Sequence, residues 1–164
     1  MGNQLIDINN IKIASNLLNT IVKKTPLQFN GRLSDSNNCS VWLKREDLQE
    51  VRSFKIRGAF NKIYSLKNTE RKKGVVCSSA GNHAQGFAKS CMELKIKGTV
   101  FMPTITPKQK IEQVKMFGGD YIKIVLEEDK YDDTYISAKN SVILIKWNSF
   151  IHSTMSLLLK VRQH

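Results

Sequence analysis

The sequence predicts an α/β fold: a small doubly wound parallel sheet of about four strands, preceded by an N-terminal helical arm. From residue 41 onward, short strand-like runs alternate with longer helical patterns. The connections between successive strands are long enough to hold crossover helices, as parallel pairing requires. Glycines follow the predicted helix ends, at Gly74, Gly98, Gly118 and Gly119, where glycine commonly terminates a helix.

The N-terminal arm is predicted from apolar residues that fall mostly at helical spacing between positions 6 and 21, with Asp7 able to cap the start. Pro26 ends this helix, because the residue before a proline disfavours helical backbone angles. Leu27 and Phe29 then alternate like a short strand. Residues 34–38, Ser-Asp-Ser-Asn-Asn, have the composition of a turn.

The remaining elements follow in strict alternation. Strands are predicted at residues 41–45, 75–78, 99–102 and 121–126, and helices at residues 54–66, 82–94 and 107–117. Ligands of such sheets bind beyond the carboxyl ends of the strands. We therefore expect residues 53–55, after the first strand, and residues 79–83, after the second, to form one site.

Length and charge limit the possible functions. A chain of 164 residues with 41% hydrophobic residues can form one ordinary domain with a core. The net charge of +12 raises nucleic acid or an anionic membrane as a partner. The lysines are nevertheless spread along the chain and no nucleic-acid-binding motif is present. We therefore expect neither partner and assign the charge to a solvated surface.

Cysteine usage and the lack of targeting signals predict a cytoplasmic protein. Cys39, Cys77 and Cys91 are odd in number, widely spaced and without a CxxC pair. No signal peptide and no apolar run of about 20 residues is readable. His83 is expected to be buried and bonded to backbone, since no carboxylate or second histidine stands at ligand spacing. No metal site is predicted.

Lys55 occupies an unusual position, the first turn of the predicted helix at residues 54–66. The N-terminal end of the helix dipole raises the cost of an ammonium group. The position therefore favours a neutral amine, which is the form that makes a Schiff base with a carbonyl cofactor. Taken alone, a lysine in a lysine-rich chain is more commonly a surface residue, so position by itself leaves both interpretations open.

Two segments resemble the motifs of the pyridoxal-phosphate enzymes that dehydrate serine and threonine. Residues 44–49 and 51–59 read KREDLQ and VRSFKIRGA, and residues 78–86 read SSAGNHAQG. The sequence is most similar to the threonine dehydratases (threonine ammonia-lyases), from about residue 8 to residue 138. The resemblance implies the N-terminal part of a lyase of fold type II, the tryptophan-synthase-β-like fold. It also implies the cofactor pyridoxal 5′-phosphate and the conversion of L-threonine to 2-oxobutanoate and ammonia in isoleucine biosynthesis.

The same resemblance assigns roles to individual residues. Lys55 is implied as the catalytic residue that holds the cofactor as a Schiff base and, once freed by substrate, takes the α-proton. Phe54 is implied beside the cofactor ring, although a core aromatic fits that position equally well. Asn82 is implied to hydrogen-bond the ring oxygen, its alternative being a helix cap. The loop implied to bind the substrate carboxylate contains Ser79, Ala80, Gly81, Asn82 and His83.

The resemblance weakens toward the C-terminus. The glycine-rich phosphate loop of the family is not found, and the tail from residue 134 has no Asp or Glu. We expect three parts: residues 1–40, an arm that packs on a second domain; residues 41–140, the lysine-bearing α/β domain; and residues 141–164, an atypical tail. A frameshift or premature stop near Asn140 would explain the tail. Without a phosphate cradle, the 164-residue chain alone is expected to be inactive.

Several functions stay open from the sequence. The leading one is a truncated threonine dehydratase whose full-length form is a homo-oligomer acting on a small amino acid. The alternatives are an inactive remnant or non-catalytic α/β domain, a serine dehydratase or serine racemase-like enzyme, and, least supported, a basic nucleic-acid-binding module.

Overall fold

A computed structural model of the chain describes residues 7–127. The helices are α1 (Ile8–Leu18), α2 (Gly31–Asn37), α3 (Lys55–Tyr64), α4 (Asn68–Lys72), α5 (Asn82–Leu94) and α6 (Lys108–Gly118). The strands are β1 (Leu27–Phe29), β2 (Trp42–Lys44), β3 (Val75–Ser78), β4 (Gly98–Pro103) and β5 (Ile122–Glu127). Short 3₁₀ helices lie at Glu46–Leu48 and Gly119–Tyr121. The predicted α/β class is confirmed.

The central sheet is parallel, in the order β3-β4-β5. Val75 is paired with Gly98, and Gly98 with Ile122, so the three strands start at the same level and their carboxyl ends share one edge. Helices α5 and α6 supply the crossovers between successive strands. Between residues 7 and 127 this sheet has three strands, against the four that the sequence predicts.

The missing strand is the predicted one at residues 41–45. The strand observed within this range, β2, pairs antiparallel with β1, and Phe29 lies opposite Trp42. That assignment to the parallel sheet was therefore wrong. The error has a physical cause, because the alternation of side chains along a strand suits parallel and antiparallel pairing equally. The strand that pairs with β2 is β1, which lies before residue 41, where the alternation of strands and helices was predicted to begin.

The main hydrophobic core lies on one face of the parallel sheet. The β3 and β4 side chains that point to it are Val75, Cys77, Val100 and Met102. Helix α5 covers them with Phe87, which is fully buried. Burial raises the pKa of the buried thiols of Cys77 and Cys91, so both remain neutral and pack as small apolar side chains.

The opposite face of the sheet carries a smaller cluster of Val76, Phe101 and Val125. Among residues 7–127, this cluster contains strand residues only, so the described helices pack on one face of the sheet. A doubly wound sheet would carry helices on both faces. None of the helices in this part of the chain combines the length and apolarity of a bilayer span. The tail after Asn140 lies outside the described residues.

Candidate active site

Lys55 is the first residue of α3, close to the predicted position. The residue that precedes the helix is Phe54, which has helical backbone angles and makes no side-chain cap. The Ser53 hydroxyl nevertheless accepts a hydrogen bond from the Lys55 backbone N–H at 3.4 Å, and Ser53 itself is buried. Ser53 therefore supports the first turn from one residue before the assigned cap.

Lys55 is half-buried, and its amine lies beside an aromatic ring. Its Nζ lies 5.0 Å from the centroid of the Phe54 ring. Burial lowers the pKa of the Lys55 amine, which enlarges the neutral, nucleophilic fraction at a given pH. Phe54 is 43% exposed, so the core-aromatic alternative for this residue was wrong and its ring is accessible from the surface.

The loop that follows β3 leads directly into α5. The residue that precedes α5 is Gly81, which has no side chain to cap the helix, and the first turn contains no acidic residue. The Ser79 hydroxyl accepts a hydrogen bond from the Gly81 N–H at 3.3 Å. The start of a 13-residue helix, without a side-chain cap, offers N–H donors and a positive dipole end to an anion.

The side chains of this loop leave room for a ligand. A Cβ atom built on Gly81 would meet no heavy atom within 4 Å. Asn82 is exposed and is not the cap, so the capping alternative for Asn82 was wrong. Ala80 and His83 are half-buried as residues, and both ring nitrogens of His83 are shielded from solvent, in line with the predicted burial of the imidazole. No cluster of potential metal ligands occurs among residues 7–127.

Close contact between two helices places the first turn of α3 against α5, the helix that follows the 79–83 loop. A Cβ atom on Gly86 of α5 would lie 2.9 Å from the backbone N of Ile56 and 3.0 Å from the backbone C of Lys55. The first turn of α3 therefore packs directly on α5, one turn after α5 begins at Asn82. A larger residue at position 86 would separate the lysine from the loop that precedes α5.

Sequence reasoning missed a polar network that holds α3 in place. The Glu46 carboxylate accepts two hydrogen bonds from the Arg57 guanidinium, both at 2.8 Å, and one from the Thr25 hydroxyl at 2.5 Å. Burial opposes ionisation of Glu46, but the hydrogen bonds from Arg57, Thr25 and Gln49 outweigh it and lower the pKa of the carboxyl. The sequence offered one signal for this network: Glu46 and Arg57 have opposite charges and lie in the same motif, residues 44–59.

The arrangement fits a carbonyl cofactor and an anionic substrate group. The amine of Lys55 has a lowered pKa and stands beside an accessible ring, and the neighbouring helix presents N–H groups without a side-chain cap. A lysine of this kind can attach a carbonyl compound, and the helix start can bind a carboxylate.

Relatives with known names match most of the chain. Residues 18–149 match the model of the pyridoxal-phosphate dependent enzyme family. The protein named L-threonine dehydratase biosynthetic IlvA of Halalkalibacterium halodurans is 53% identical over 147 residues, which are 90% of this chain and 35% of that protein. Its Bacillus subtilis counterpart is 52% identical over 136 residues, 83% of this chain and 32% of the relative. The chain thus spans about a third of these relatives.

Solved structures with the same fold include a processed form of threonine deaminase isoform 2 from Solanum lycopersicum, with a TM-score of 0.68 and 34% identity. That match covers 85% of this chain and 43% of the tomato chain. Maize serine racemase gives a TM-score of 0.79 at 27% identity, over 96% of this chain and 50% of its own. Fold, motifs and family match agree, and the chain belongs to the family of pyridoxal-phosphate-dependent enzymes.

Proposed function

We propose that this chain supplies the lysine-bearing part of a biosynthetic L-threonine dehydratase, which deaminates L-threonine to 2-oxobutanoate and ammonia. The observation that carries the proposal is the packing of the Lys55 turn on α5, the helix that begins at the 79–83 loop. The identity of more than 50% to relatives with that name supports the choice of substrate.

Each predicted site residue has a role in this reaction. Pyridoxal phosphate, when bound, supplies an electron sink for the negative charge that develops at the substrate α-carbon. Lys55 would hold the cofactor through its amine, and the same amine, when free and neutral, would take the substrate α-proton. Phe54 would lie beside the cofactor ring, and Asn82 would donate a hydrogen bond to the ring oxygen. The substrate carboxylate binds at Ser79, Ala80, Gly81, Asn82 and His83.

The proposal extends to the surroundings of the site. The substrate is a small amino acid, the reaction belongs to isoleucine biosynthesis in the cytoplasm, and the full-length enzyme is a homo-oligomer.

The arm at residues 1–40 packs on a second domain. Support for this docking comes from apolar side chains of the arm that stay exposed, Leu27 at 60% and Phe29 at 49%, and from Trp42 at 54% on the strand that pairs with β1.

A serine racemase-like activity is the second candidate. The observation in its favour is the high structural similarity to two serine racemases, from maize and Dictyostelium discoideum, with TM-scores of 0.79 and 0.76. Their identities to this chain, 27% and 28%, are about half that of the threonine dehydratase from Halalkalibacterium halodurans, so the proposal of a threonine dehydratase is favoured over that of a serine racemase.

A chimera tests the function. Residues 7–127 of this chain would replace the matching residues of the Bacillus subtilis relative, which is 52% identical. We expect the chimera to release 2-oxobutanoate and ammonia from L-threonine in equal amounts, and the 164-residue chain alone to release neither. The measurement is a stoichiometric assay of the keto acid and of ammonia.

Three outcomes decide between the candidates. Keto acid from L-threonine supports the dehydratase. D-serine formed from L-serine, with no keto acid from L-threonine, supports the racemase instead. A folded chimera that binds cofactor and converts neither amino acid contradicts both and leaves a non-catalytic α/β domain.

A further inference from the structure

The 46–50 segment connects three parts of the structure. Glu46 accepts hydrogen bonds from Arg57 on α3 and from Thr25 in the arm. Gln49 is tied to the same arm, since its Nε2 donates to the Lys23 carbonyl at 2.8 Å and its Oε1 accepts from the Lys23 N–H at 3.0 Å. The arm and the lysine-bearing helix therefore meet at one carboxylate.

Burial distinguishes this carboxylate from the other acidic residues of the segment. The Glu46 side chain is 15% exposed and that of Arg57 is 33% exposed, and the two share a bidentate contact. Glu50, at the other end of the segment, is 56% exposed and contacts Lys89 of α5 at 2.9 Å. A buried carboxylate that accepts several hydrogen bonds constrains its partners more than a carboxylate in an exposed ion pair does.

Arg57 transmits this constraint to the proposed active site. It is two residues past Lys55 and shares the first turn of α3 with it. The same turn is packed against Gly86 of α5 on another side. The Lys55 backbone is therefore held by its packing on Gly86, by the hydrogen bond to the Ser53 hydroxyl and, through Arg57, by an ionic contact that depends on Glu46.

We propose that Glu46 is a positioning residue for Lys55, acting through Arg57 to hold the first turn of α3 and to join it to the N-terminal arm. The role as a positioning residue rests on the proposed function, because only that function gives Lys55 a reaction. The contact network itself does not depend on it. Glu46 touches neither cofactor nor substrate in this proposal.

The test measures the Lys55 amine in the 164-residue chain without cofactor. Competitive acetylation with acetic anhydride at several pH values, read by mass spectrometry of the Lys55 peptide, gives the pH at which the amine becomes reactive. We expect Glu46→Gln and Arg57→Gln each to loosen the turn, expose the amine and raise its titration midpoint. At pH 8 the relative rate should fall about threefold or more, as a rise of about half a pKa unit produces.

The direction of the change separates positioning from simple electrostatics. Loss of the negative charge at Glu46 would by charge alone lower the Lys55 midpoint, whereas loss of the positive charge at Arg57 would raise it. Positioning raises it in both variants. The double variant should show the effect of either single change and not their sum, because Glu46 acts through Arg57.

Controls keep the result decisive. Glu50→Gln alters the labelling of Lys89 but should leave Lys55 unchanged. Thr25→Val removes one hydrogen bond to Glu46 with little change of shape. It should raise the Lys55 titration midpoint by less than Glu46→Gln does, and it replaces that variant in the test if Glu46→Gln does not fold. Opposite shifts in the two single variants, or no shift in the folded ones, would overturn the proposal. Neither result would bear on the chimera's activity, so the two proposals fail separately.

Discussion

Replacing Gly86 with alanine is expected to destabilise the fold and displace Lys55. The added methyl group would lie 2.9 Å from the Ile56 N and 3.0 Å from the Lys55 C, both backbone atoms that cannot rotate away. Overpacking of this kind costs about 1–3 kcal/mol. Because the obstructing atoms are backbone, we expect a cost in the upper part of that range, about 2–3 kcal/mol. The better helix propensity of alanine returns about 1 kcal/mol, so the expected net loss in the free energy of unfolding is about 1–2 kcal/mol, measured by urea denaturation.

Gly81→Ala is the matched control for stability. It stands five residues before Gly86, and a Cβ there would meet nothing within 4 Å. We expect its unfolding free energy to change by less than about 0.5 kcal/mol, as for other substitutions that disturb no packing. Equal stability of the two variants would show that α3 and α5 do not meet at position 86 as described.

Lys55→Ala is expected to abolish the activity of the chimera. The residue is proposed both to attach the cofactor and to move a proton, and proton transfer alone accounts for about 10²–10⁴-fold in rate. We therefore expect turnover of L-threonine to fall by about 10⁴-fold or more, since attachment is lost as well. Steady-state release of 2-oxobutanoate gives the measurement.

The control is Lys62→Ala, which removes a lysine from the last turn of the same helix. It should keep the parent turnover. If Lys55→Ala retains a rate within about tenfold of the parent, equivalent to about 1.4 kcal/mol of barrier, the assignment of the catalytic amine is wrong.

The parts of the fold that sequence predicted correctly are those encoded locally. β3 and α5 were predicted with the bounds that the structure has, Val75–Ser78 and Asn82–Leu94. The short run Val-Val-Cys-Ser between Gly74 and Gly81 is typical of a buried strand. The helical pattern that follows Gly81 has a defined start at the glycine. Local propensity, apolar pattern and turn chemistry all agree there.

A second error arose at residues that form turns in some proteins and cap helices in others. Residues 34–38 were predicted to form a turn, but most of them belong to α2. Asn30 caps this helix by accepting from the Leu33 N–H at 2.9 Å, and Asn38 ends it in the left-handed region at φ 47°. The same polar residues form turns and helix caps, and a helix of seven residues is too short to show a clear apolar period.

The site could be predicted in part for a similar reason. Lys55 and the 79–83 loop stand at the starts of α3 and α5, and both helix starts are encoded locally. The shared sheet edge expected from the sequence does not bring them together, because β2 lies outside the parallel sheet; the packing of α3 on α5 at Gly86 does so instead. The Glu46 network was not predictable in this way. Its members come from the arm, the 3₁₀ helix and α3, so only tertiary contact shows that they meet.

The most direct test of the central claim is to find the lysine that carries the cofactor. The chimera would be loaded with pyridoxal phosphate, reduced with sodium borohydride to make the attachment permanent, digested, and mapped by mass spectrometry. We expect the added mass on Lys55 and its loss from that position in the Lys55→Ala variant. Label on other lysines of this chain, with the Lys55 peptide unmodified, would contradict the account.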